Sequence, residues 1–249
     1  MPKRIPVTVV TGFLGAGKTT LLRSLLKTSE RRLAVIVNEF GDIGLDGDLI
    51  RTCGFCSEEE DLSERLVELN NGCLCCTVQD DFLPTMDHLL FKKSDLDGIL
   101  IETSGLALPR PLLDALNWPE IRSKVYLNAV VTVVDGIALS LGSPVSDLFA
   151  IEKQREADKN LDHLTPINDL FANQLRSADL VLITRSDLLS KSIIDKVKAE
   201  ISHLVKNSSY ILPVSKGIIN PDLVLGFKHN DCLGENNTLL IHDHDHDHD

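Results

Sequence analysis

The first residues whose types and spacing could do chemistry form a glycine-rich motif near the amino terminus. Gly12, Gly17, Lys18 and Thr19 satisfy the spacing G-x-x-x-x-G-K-[ST] in the run GFLGAGKT. Backbone N–H groups of such a turn can surround phosphate oxygens, and a helix that begins there adds partial positive charge. Lys18 would neutralise the β and γ phosphates, and the Thr19 hydroxyl would ligate Mg²⁺. The motif predicts a nucleoside triphosphate site.

A carboxylate at the end of a neighbouring strand is the next expected element of such a site. In the run ILIETSG, Glu102 follows three apolar residues, and Gly105 lies three positions further on. The carboxylate would act beside Mg²⁺, and the Gly105 backbone N–H could sense a γ-phosphate. Glu102 is therefore a catalytic candidate together with Lys18.

Base recognition is expected after a later strand, in the run LVLITRSDLL. Asp187 could accept from both the N1 hydrogen and the exocyclic amine of guanine, whereas adenine presents no such pair of donors. Arg185 could lie over the base. Thr184 stands where the Asn-Lys-x-Asp pattern of GTPases has Asn, which leaves the choice between GTP and ATP open. The alternative is that Asp187 caps the following helix. Ser215, in the run PVSKG, belongs to a loop that could close on the base.

A cysteine cluster follows the second apolar run, and five of the six cysteines belong to it. Three of them fall within the run CLCC, where a bend at Gly72 could direct their thiolates to one soft or borderline cation. A transferable metal, a closed structural zinc site and a redox pair are the alternatives. A fourth ligand could come from Glu39 or a histidine, or from the pair with C-x-x-C spacing. The cluster consists of Cys53, Cys56, Cys73, Cys75 and Cys76.

The chain ends with a repeat of histidine and aspartate. In an extended chain the imidazoles would share a face, and neutral imidazole binds zinc, cobalt and nickel. A weak, exchangeable metal reservoir and a solvated acidic tail are the two interpretations. We expect residues 226–249 to be disordered and to follow a single domain over residues 1–225. The four histidines are His242, His244, His246 and His248.

The elements that must position these residues alternate between short apolar runs and segments with helical periodicity. Leu21, Leu22, Leu25 and Leu26 mark one helix, and the residues from Ile193 to Val205 mark another. This alternation predicts an α/β fold with a mostly parallel sheet and helices on both faces, which places ligands at the carboxyl ends of the strands. Residues 41–78 form a Cys-rich insertion after the second strand. The predicted strands are Ile5–Val10, Leu33–Val37, Ile99–Ile101, Ala129–Val134, Leu180–Ile183 and Tyr210–Val214.

Charge and hydropathy narrow the classes of partner. The 249 residues carry 25 Lys and Arg against 37 Asp and Glu, a net charge of -12, which argues against nucleic acid and anionic membrane surfaces as partners. No apolar run reaches the roughly 18 residues of a membrane-spanning helix. The amino terminus lacks the pattern of a secretory signal. We expect a cytoplasmic protein.

The combination of GFLGAGKTT, VNEFGDIGLDGDL, ELNNGCLCC and ETSGLALP resembles the CobW family of P-loop GTPases, which act as metallochaperones. The resemblance spans the chain to about residue 225. CGFC and the histidine-aspartate tract are most similar to members that serve aerobic cobalamin biosynthesis. The resemblance therefore implies GTP and Mg²⁺ as ligands, and delivery of Co²⁺ to a client metalloenzyme or chelatase, the cobaltochelatase in particular. Members that handle Zn²⁺ share the CxCC motif.

The resemblance also assigns residues to roles. The first switch would contain Asn38, Phe40 and Gly41 with the catalytic candidates Glu39 and Asp42, and Glu102 to Gly105 would form the second switch. The transferred metal would bind Cys73, Cys75 and Cys76. The family carries a small C-terminal domain, so the resemblance implies either that this domain is absent here or that the sequence is a truncated product. The nucleotide loop would comprise Gly12, Phe13, Leu14, Gly15, Ala16, Gly17, Lys18, Thr19 and Thr20.

The functional hypothesis is a GTPase that loads a divalent metal at the CxCC site and hands it to a client after hydrolysis. A zinc-transferring member of the same family is the first alternative. A small-molecule P-loop kinase with a structural zinc site and a non-catalytic metal buffer are two others, and a homodimer is one option for assembly. Affinity alone would not favour cobalt, because the divalent series places zinc above cobalt at most such sites.

Overall fold

The computed structural model describes residues 4–37, 66–68, 82–92, 96–157 and 165–226. Strands and helices alternate through these ranges, as the sequence predicts. The strands are β1 (Ile5–Thr11), β2 (Leu33–Val37), β3 (Leu66–Glu68), β4 (Gly98–Glu102), β5 (Val125–Asp135), β6 (Leu180–Thr184) and β7 (Tyr210–Pro213). The helices are α1 (Lys18–Thr28), α2 (Leu83–Lys92), α3 (Pro109–Ala115), α4 (Pro119–Arg122), α5 (Gly136–Ser140), α6 (Leu148–Ala157), α7 (Ile167–Ser177), α8 (Lys191–Ser202) and α9 (Pro221–Leu225).

The strands of the described ranges form one sheet in the order β3-β2-β4-β1-β5-β6-β7, and every neighbouring pair is parallel. Val10 pairs with Glu102, and Asp135 pairs with Thr184. Parallel strands bring their carboxyl ends to one edge of the sheet. The acidic residues that end β4 and β5 therefore lie at the same edge as the loop that follows β1.

Both faces of the sheet are covered by helices, which is why the strands read as continuous apolar runs. Val10 of β1 and Val133 of β5 belong to a core cluster that includes α1 and α9. Val7 and Val9 lie in a second cluster with α2, α3 and α4. Val134 belongs to a third cluster, formed with α5, α6, α7 and α8. The alternation of neighbouring residues between clusters follows the two-residue period of a strand.

The six predicted strands are confirmed, and the differences lie mainly at boundaries. β5 begins at Val125 rather than Ala129, and Leu66–Glu68 is a strand that the sequence did not reveal inside the Cys-rich insertion. The predicted helix around Ile193 ends at Ser202, so that Leu204 lies in the following turn, where its N–H donates to the Ile201 carbonyl. Among the helices of the described residues, none is long and apolar enough to cross a membrane.

Candidate functional site

The glycine-rich loop runs from the end of β1 to the start of α1, and its backbone requires glycine at specific points. Gly12, Gly15 and Gly17 have φ values of 135°, 76° and 102°. A Cβ on Gly12 would lie 2.1 Å from the carbonyl oxygen of Val133 in β5. The left-handed conformation of Gly17 directly precedes the first residue of α1. The loop is therefore pressed against β5 and turns its backbone toward the helix, a geometry that only glycine allows.

Three side chains from α1 and β4 converge beside this loop. The ammonium of Lys18 lies 3.8 Å from Glu102 Oε1 and donates to the Phe13 carbonyl at 3.3 Å. The Thr19 hydroxyl lies 3.5 Å from the same Glu102 oxygen. Lys18 and Glu102 are both buried. The structure thus brings together Lys18 and Thr19 of the motif with Glu102 at the strand end, the groups predicted to contact phosphate and Mg²⁺.

The donor set at this point fits Mg²⁺. Magnesium prefers hard oxygen ligands and is usually held by one or two protein oxygens together with substrate phosphates. The Thr19 hydroxyl and the Glu102 carboxylate provide such oxygens from two different elements. Glu102 is 3% exposed, so its negative charge acts in a region of low dielectric. These residues would hold the ion and leave its remaining positions to phosphate and water.

The other residues of the loop contribute mainly through their backbone. The Phe13 ring is buried and stacks on Phe171 of α7, with ring centroids 6.2 Å apart. Ala16 is buried, whereas Leu14 and Thr20 are partly or fully exposed. The Phe13 ring fixes the loop to the core cluster under it. The cofactor-binding role predicted for Phe13, Leu14, Ala16 and Thr20 stays a prediction.

Gly105 lies in the turn that follows β4, directly against the glycine-rich loop. A Cβ at Gly105 would lie 2.6 Å from the Leu14 nitrogen and 3.1 Å from the Phe13 carbonyl carbon. The N–H of Thr103 donates to the Val10 carbonyl, which extends the β1–β4 pairing by one residue. The segment predicted to sense a γ-phosphate therefore lies beside the phosphate loop itself.

The residues predicted to read the base lie where β6 ends. The Thr184 hydroxyl is 2.8 Å from the Ala16 carbonyl and 3.0 Å from the Val134 carbonyl, and its side chain is buried. Thr184 therefore holds the glycine-rich loop in place by donating a hydrogen bond to the Ala16 carbonyl. A direct contact between Thr184 and a base is untested and stays a prediction.

Arg185 has an ion-pair partner that sequence reasoning missed. Its Nη1 lies 2.6 Å from Asp135 Oδ2, and its Nη2 donates to the Gly15 carbonyl at 3.3 Å. The other carboxylate oxygen of Asp135 accepts from the N–H groups of Ile137 and Ala138 and caps α5. The signal for Asp135 was present, because it ends an apolar strand just as Glu102 does. The Arg185 side chain is 43% exposed, and its contact with a base stays a prediction.

The loop after β7 approaches the same site, as the sequence suggested. Lys216 and Gly217 both have positive φ, and a Cβ on Gly217 would lie 3.0 Å from the Thr20 carbonyl of α1. Ser215 forms an isolated antiparallel bridge with Ile218. Asp187 is exposed within the short 3-10 helix Ser186–Leu188. The loop therefore lies against the first turn of α1, and the contacts predicted for Ser215 and Asp187 with a base remain predictions.

Several predicted site residues lie outside the described residues. These include the first switch and all candidate ligands of the transferred metal. Among the residues that the structure does describe, no group of three or more His, Cys, Asp and Glu side chains could hold a metal ion. The predicted site residues outside the described ranges are Asn38, Glu39, Phe40, Gly41, Asp42, Cys53, Cys56, Cys73, Cys75, Cys76, His242, His244, His246 and His248.

The chain is similar in sequence to known proteins. The profile of the family described as CobW/HypB/UreG, nucleotide-binding domain, matches residues 6–211. A protein of Pseudomonas aeruginosa named zinc chaperone CobW is 49% identical over 224 residues, which are 90% of this chain and 60% of that protein. A zinc chaperone CobW of a Sinorhizobium species is 46% identical over 226 residues, which cover 90% of this chain and 62% of that protein. The chain thus spans about three fifths of the length of these relatives.

The fold recurs in solved structures. The crystal structure of the Zn(II)-bound YjiA GTPase from E. coli is similar with a TM-score of 0.54 and 21% sequence identity. The match covers 96% of this chain and 68% of the YjiA chain. The similarity supports the three-layer fold with its parallel sheet.

Proposed function

Since the chain belongs to the CobW/HypB/UreG family, whose CobW branch consists of P-loop GTPases, we propose that it binds and hydrolyses GTP to control the transfer of a divalent metal. The observation that carries the nucleotide part is the convergence of Lys18, Thr19 and Glu102 at the carboxyl edge of the sheet. The metal part rests on the CxCC motif and on the names of the relatives.

Each residue of the site has a defined task in the hydrolysis of GTP. Lys18 neutralises charge on the β and γ phosphates, and the backbone of the glycine-rich loop donates to their oxygens. Thr19 and Glu102 would hold Mg²⁺, an ion that would supply positive charge beside the phosphate oxygens. Glu39 and Asp42 are candidates for orienting the attacking water. Slow intrinsic turnover is expected unless a partner supplies an arginine finger.

The transferred metal is proposed to be zinc rather than cobalt. The two relatives described above, at 49% and 46% identity, are named zinc chaperones. Thiolates of Cys73, Cys75 and Cys76 suit zinc, and the divalent series favours zinc over cobalt at such a site. Delivery of cobalt to a cobaltochelatase, and the cytoplasm as the place of action, stay predictions from the sequence. The client of the transfer would be a metalloenzyme or a chelatase.

Metal transfer is proposed to depend on the nucleotide. The cysteine motif lies between the first switch and Glu102 in the sequence, so both switches flank it. Bound GTP would favour the conformation in which the thiolates capture metal, and loss of the γ-phosphate would lower the affinity for metal. Because coupling between two sites is reciprocal, metal should tighten GTP binding by the same factor.

Titration of Zn²⁺ and Co²⁺ against a competing chelator tests this function. The titration is run with a non-hydrolysable GTP analogue, with GDP and without nucleotide. We expect the analogue to raise the affinity for Zn²⁺ about tenfold, a typical size for coupling between sites. Cys75→Ser should abolish the tight site, whereas Cys232→Ser, which alters the cysteine outside the cluster, should not.

Three outcomes would each contradict one part of the proposal. Equal metal affinities in all three nucleotide states would exclude a nucleotide-controlled carrier and would favour a closed structural zinc site. Nucleotide binding that survives Lys18→Ala would argue against the phosphate site, because Lys18 supplies its buried positive charge. A higher affinity for Co²⁺ than for Zn²⁺ under matched conditions would contradict zinc as the transferred metal and favour cobalt.

A further inference from the structure

The turn after β4 is held from outside the nucleotide site by a buried amide. The N–H of Ala107 donates to the Ser104 carbonyl at 3.0 Å and closes a four-residue turn with Gly105 at its second position. Nε2 of Gln174, in α7, lies 3.0 Å from the Gly105 carbonyl oxygen and 3.4 Å from the Ala107 carbonyl oxygen. Two outward carbonyls of the turn thus accept from one side chain.

Gln174 is itself fixed in place. Its side chain is buried, with only 1% of the residue exposed. The hydroxyl of Thr132 in β5 donates to the Gln174 main-chain carbonyl at 3.1 Å and ties α7 to the sheet. A buried amide that lost its acceptors would carry the full cost of desolvation. The amide therefore favours one position of the turn strongly over others.

The position of the turn determines where the Gly105 N–H points. The Ser104 carbonyl points to the Ala107 N–H, so the N–H of the same planar trans peptide, which belongs to Gly105, points the opposite way. Gln174 fixes the next peptide by its carbonyl. Both peptides that flank the Gly105 Cα are therefore oriented, while that Cα lies against Leu14 of the phosphate loop.

We propose that Gln174 is a positioning residue for the γ-phosphate: it orients the Gly105 N–H through the turn and so enables the protein to distinguish GTP from GDP. This inference rests on the proposed function, because it requires a nucleotide in the glycine-rich loop. Donors that are oriented before the ligand arrives cost no reorganisation when charge develops. Gln174 touches neither phosphate nor Mg²⁺ and acts only through the turn.

A second amide supports the same turn from α6. Gln154 Nε2 donates to the Ser104 hydroxyl oxygen at 3.3 Å, and Gln154 is 8% exposed. This bond reaches a side chain rather than the backbone, so it constrains the peptides less than Gln174 does. Gln154 therefore provides a graded test, with a smaller effect expected than for Gln174.

The test compares the affinities for a non-hydrolysable GTP analogue and for GDP in the full chain. Gln174→Met keeps the volume and removes both donors. We expect it to weaken analogue binding about tenfold, equivalent to about 1.4 kcal/mol, and to change GDP affinity less than about twofold. The matched control is Asn128→Leu, because Asn128 is a buried amide that bonds Thr8 and the Val224 carbonyl near the other end of β5. Asn128→Leu should lower the thermal stability and leave the ratio of the two affinities unchanged.

The outcomes separate this inference from the proposed function. If the unaltered chain binds the GTP analogue and Gln174→Met weakens both ligands equally, the positioning role is wrong and the proposed function stands. If the unaltered chain binds no guanine nucleotide, the proposed function fails and the inference fails with it. If Gln174→Met does not fold, Gln154→Met carries the test, and an unchanged affinity ratio in that variant would overturn the inference.

Discussion

Arg185 and Asp135 form an ion pair across the ends of two neighbouring strands, with Nη1 of the arginine 2.6 Å from Oδ2 of the aspartate. The same guanidinium donates to the Gly15 carbonyl, and the same carboxylate caps α5. Asp135 is buried, so its charge is screened little by solvent. The pair therefore links the phosphate loop to the elements that are expected to bind the base.

Asp135→Asn should weaken the binding of both GTP and GDP by about tenfold, the size expected for a lost charge-assisted hydrogen bond. Asn keeps the oxygen that caps α5 but removes the charge that holds Arg185, so the helix should persist while the guanidinium loses its anchor. Titration with a fluorescent guanine nucleotide measures the change. Asp87→Asn, which breaks the exposed pair with Lys124, serves as the control and should have no effect on nucleotide affinity. An affinity unchanged by Asp135→Asn would mean that the ion pair only stabilises the fold.

Glu102→Gln should abolish most of the Mg²⁺ dependence of GTP binding and lower the hydrolysis rate about a hundredfold or more. The amide keeps the shape of the side chain but supplies no negative charge near Lys18 and Thr19. The measurement is GTP affinity and turnover at several Mg²⁺ concentrations. Glu152→Gln, on the exposed side of α6, is the control. Retention of the wild-type Mg²⁺ response would show that the ion is held without Glu102.

Gly105→Ala should lower nucleotide affinity, whereas a glycine substitution away from the site should lower only the thermal stability. The added Cβ would lie 2.6 Å from the Leu14 nitrogen, so either the turn or the phosphate loop has to move. Gly142→Ala is the matched control, because Gly142 has a φ of 80° but nothing within 4 Å of its added Cβ. The control should cost about 1 kcal/mol of stability through backbone strain and leave nucleotide affinity unchanged. Thermal unfolding and nucleotide titration of both variants give the comparison, and equal affinities for the two would contradict the close packing of the turn on the loop.

Most of the fold could be predicted because the buried strands leave a direct trace in the sequence. Apolar runs such as Leu180–Ile183 are covered on both faces, and each appears as uninterrupted hydrophobic residues. Leu66–Glu68 left no such trace, since three residues are too few for a pattern to stand out. Helix ends were also less predictable, because they depend on caps and turns rather than on periodicity.

The candidate site was predictable where a motif fixes the spacing and unpredictable where the partners are distant in sequence. Lys18 and Thr19 follow from the motif, and Glu102 follows from its place at a strand end. Gln174 contacts Gly105 and Ala107 in the turn after β4, which are separated from it by 69 and 67 positions in the sequence. Nothing in the local sequence distinguishes this glutamine from a surface residue. Such pairs become visible only when the sheet brings α7 against the turn.

Asp187→Asn should reverse the base preference of the site from guanine toward xanthine. A carboxylate accepts from both the N1–H and the exocyclic amine of guanine. Xanthine keeps the N1–H but has a carbonyl oxygen in place of the amine, and an asparagine amide can accept from the former and donate to the latter. We therefore expect GTP affinity to fall at least about tenfold and XTP affinity to rise, because each mispaired polar group costs about 1–3 kcal/mol.

The measurement is the competition of GTP, XTP and ATP against a fluorescent nucleotide. Asp195→Asn, which changes an exposed carboxylate of α8, is the control. The alternative role of Asp187, as a cap of the following helix, predicts a different result for Asp187→Asn. Ser190 already caps α8, since its hydroxyl oxygen accepts from the Ile193 N–H, so Asp187 is not needed at that position. Loss of stability without a change in base preference would nevertheless assign Asp187 to the fold. A reversed preference would identify it as the residue that selects guanine, even though Thr184 replaces the usual asparagine.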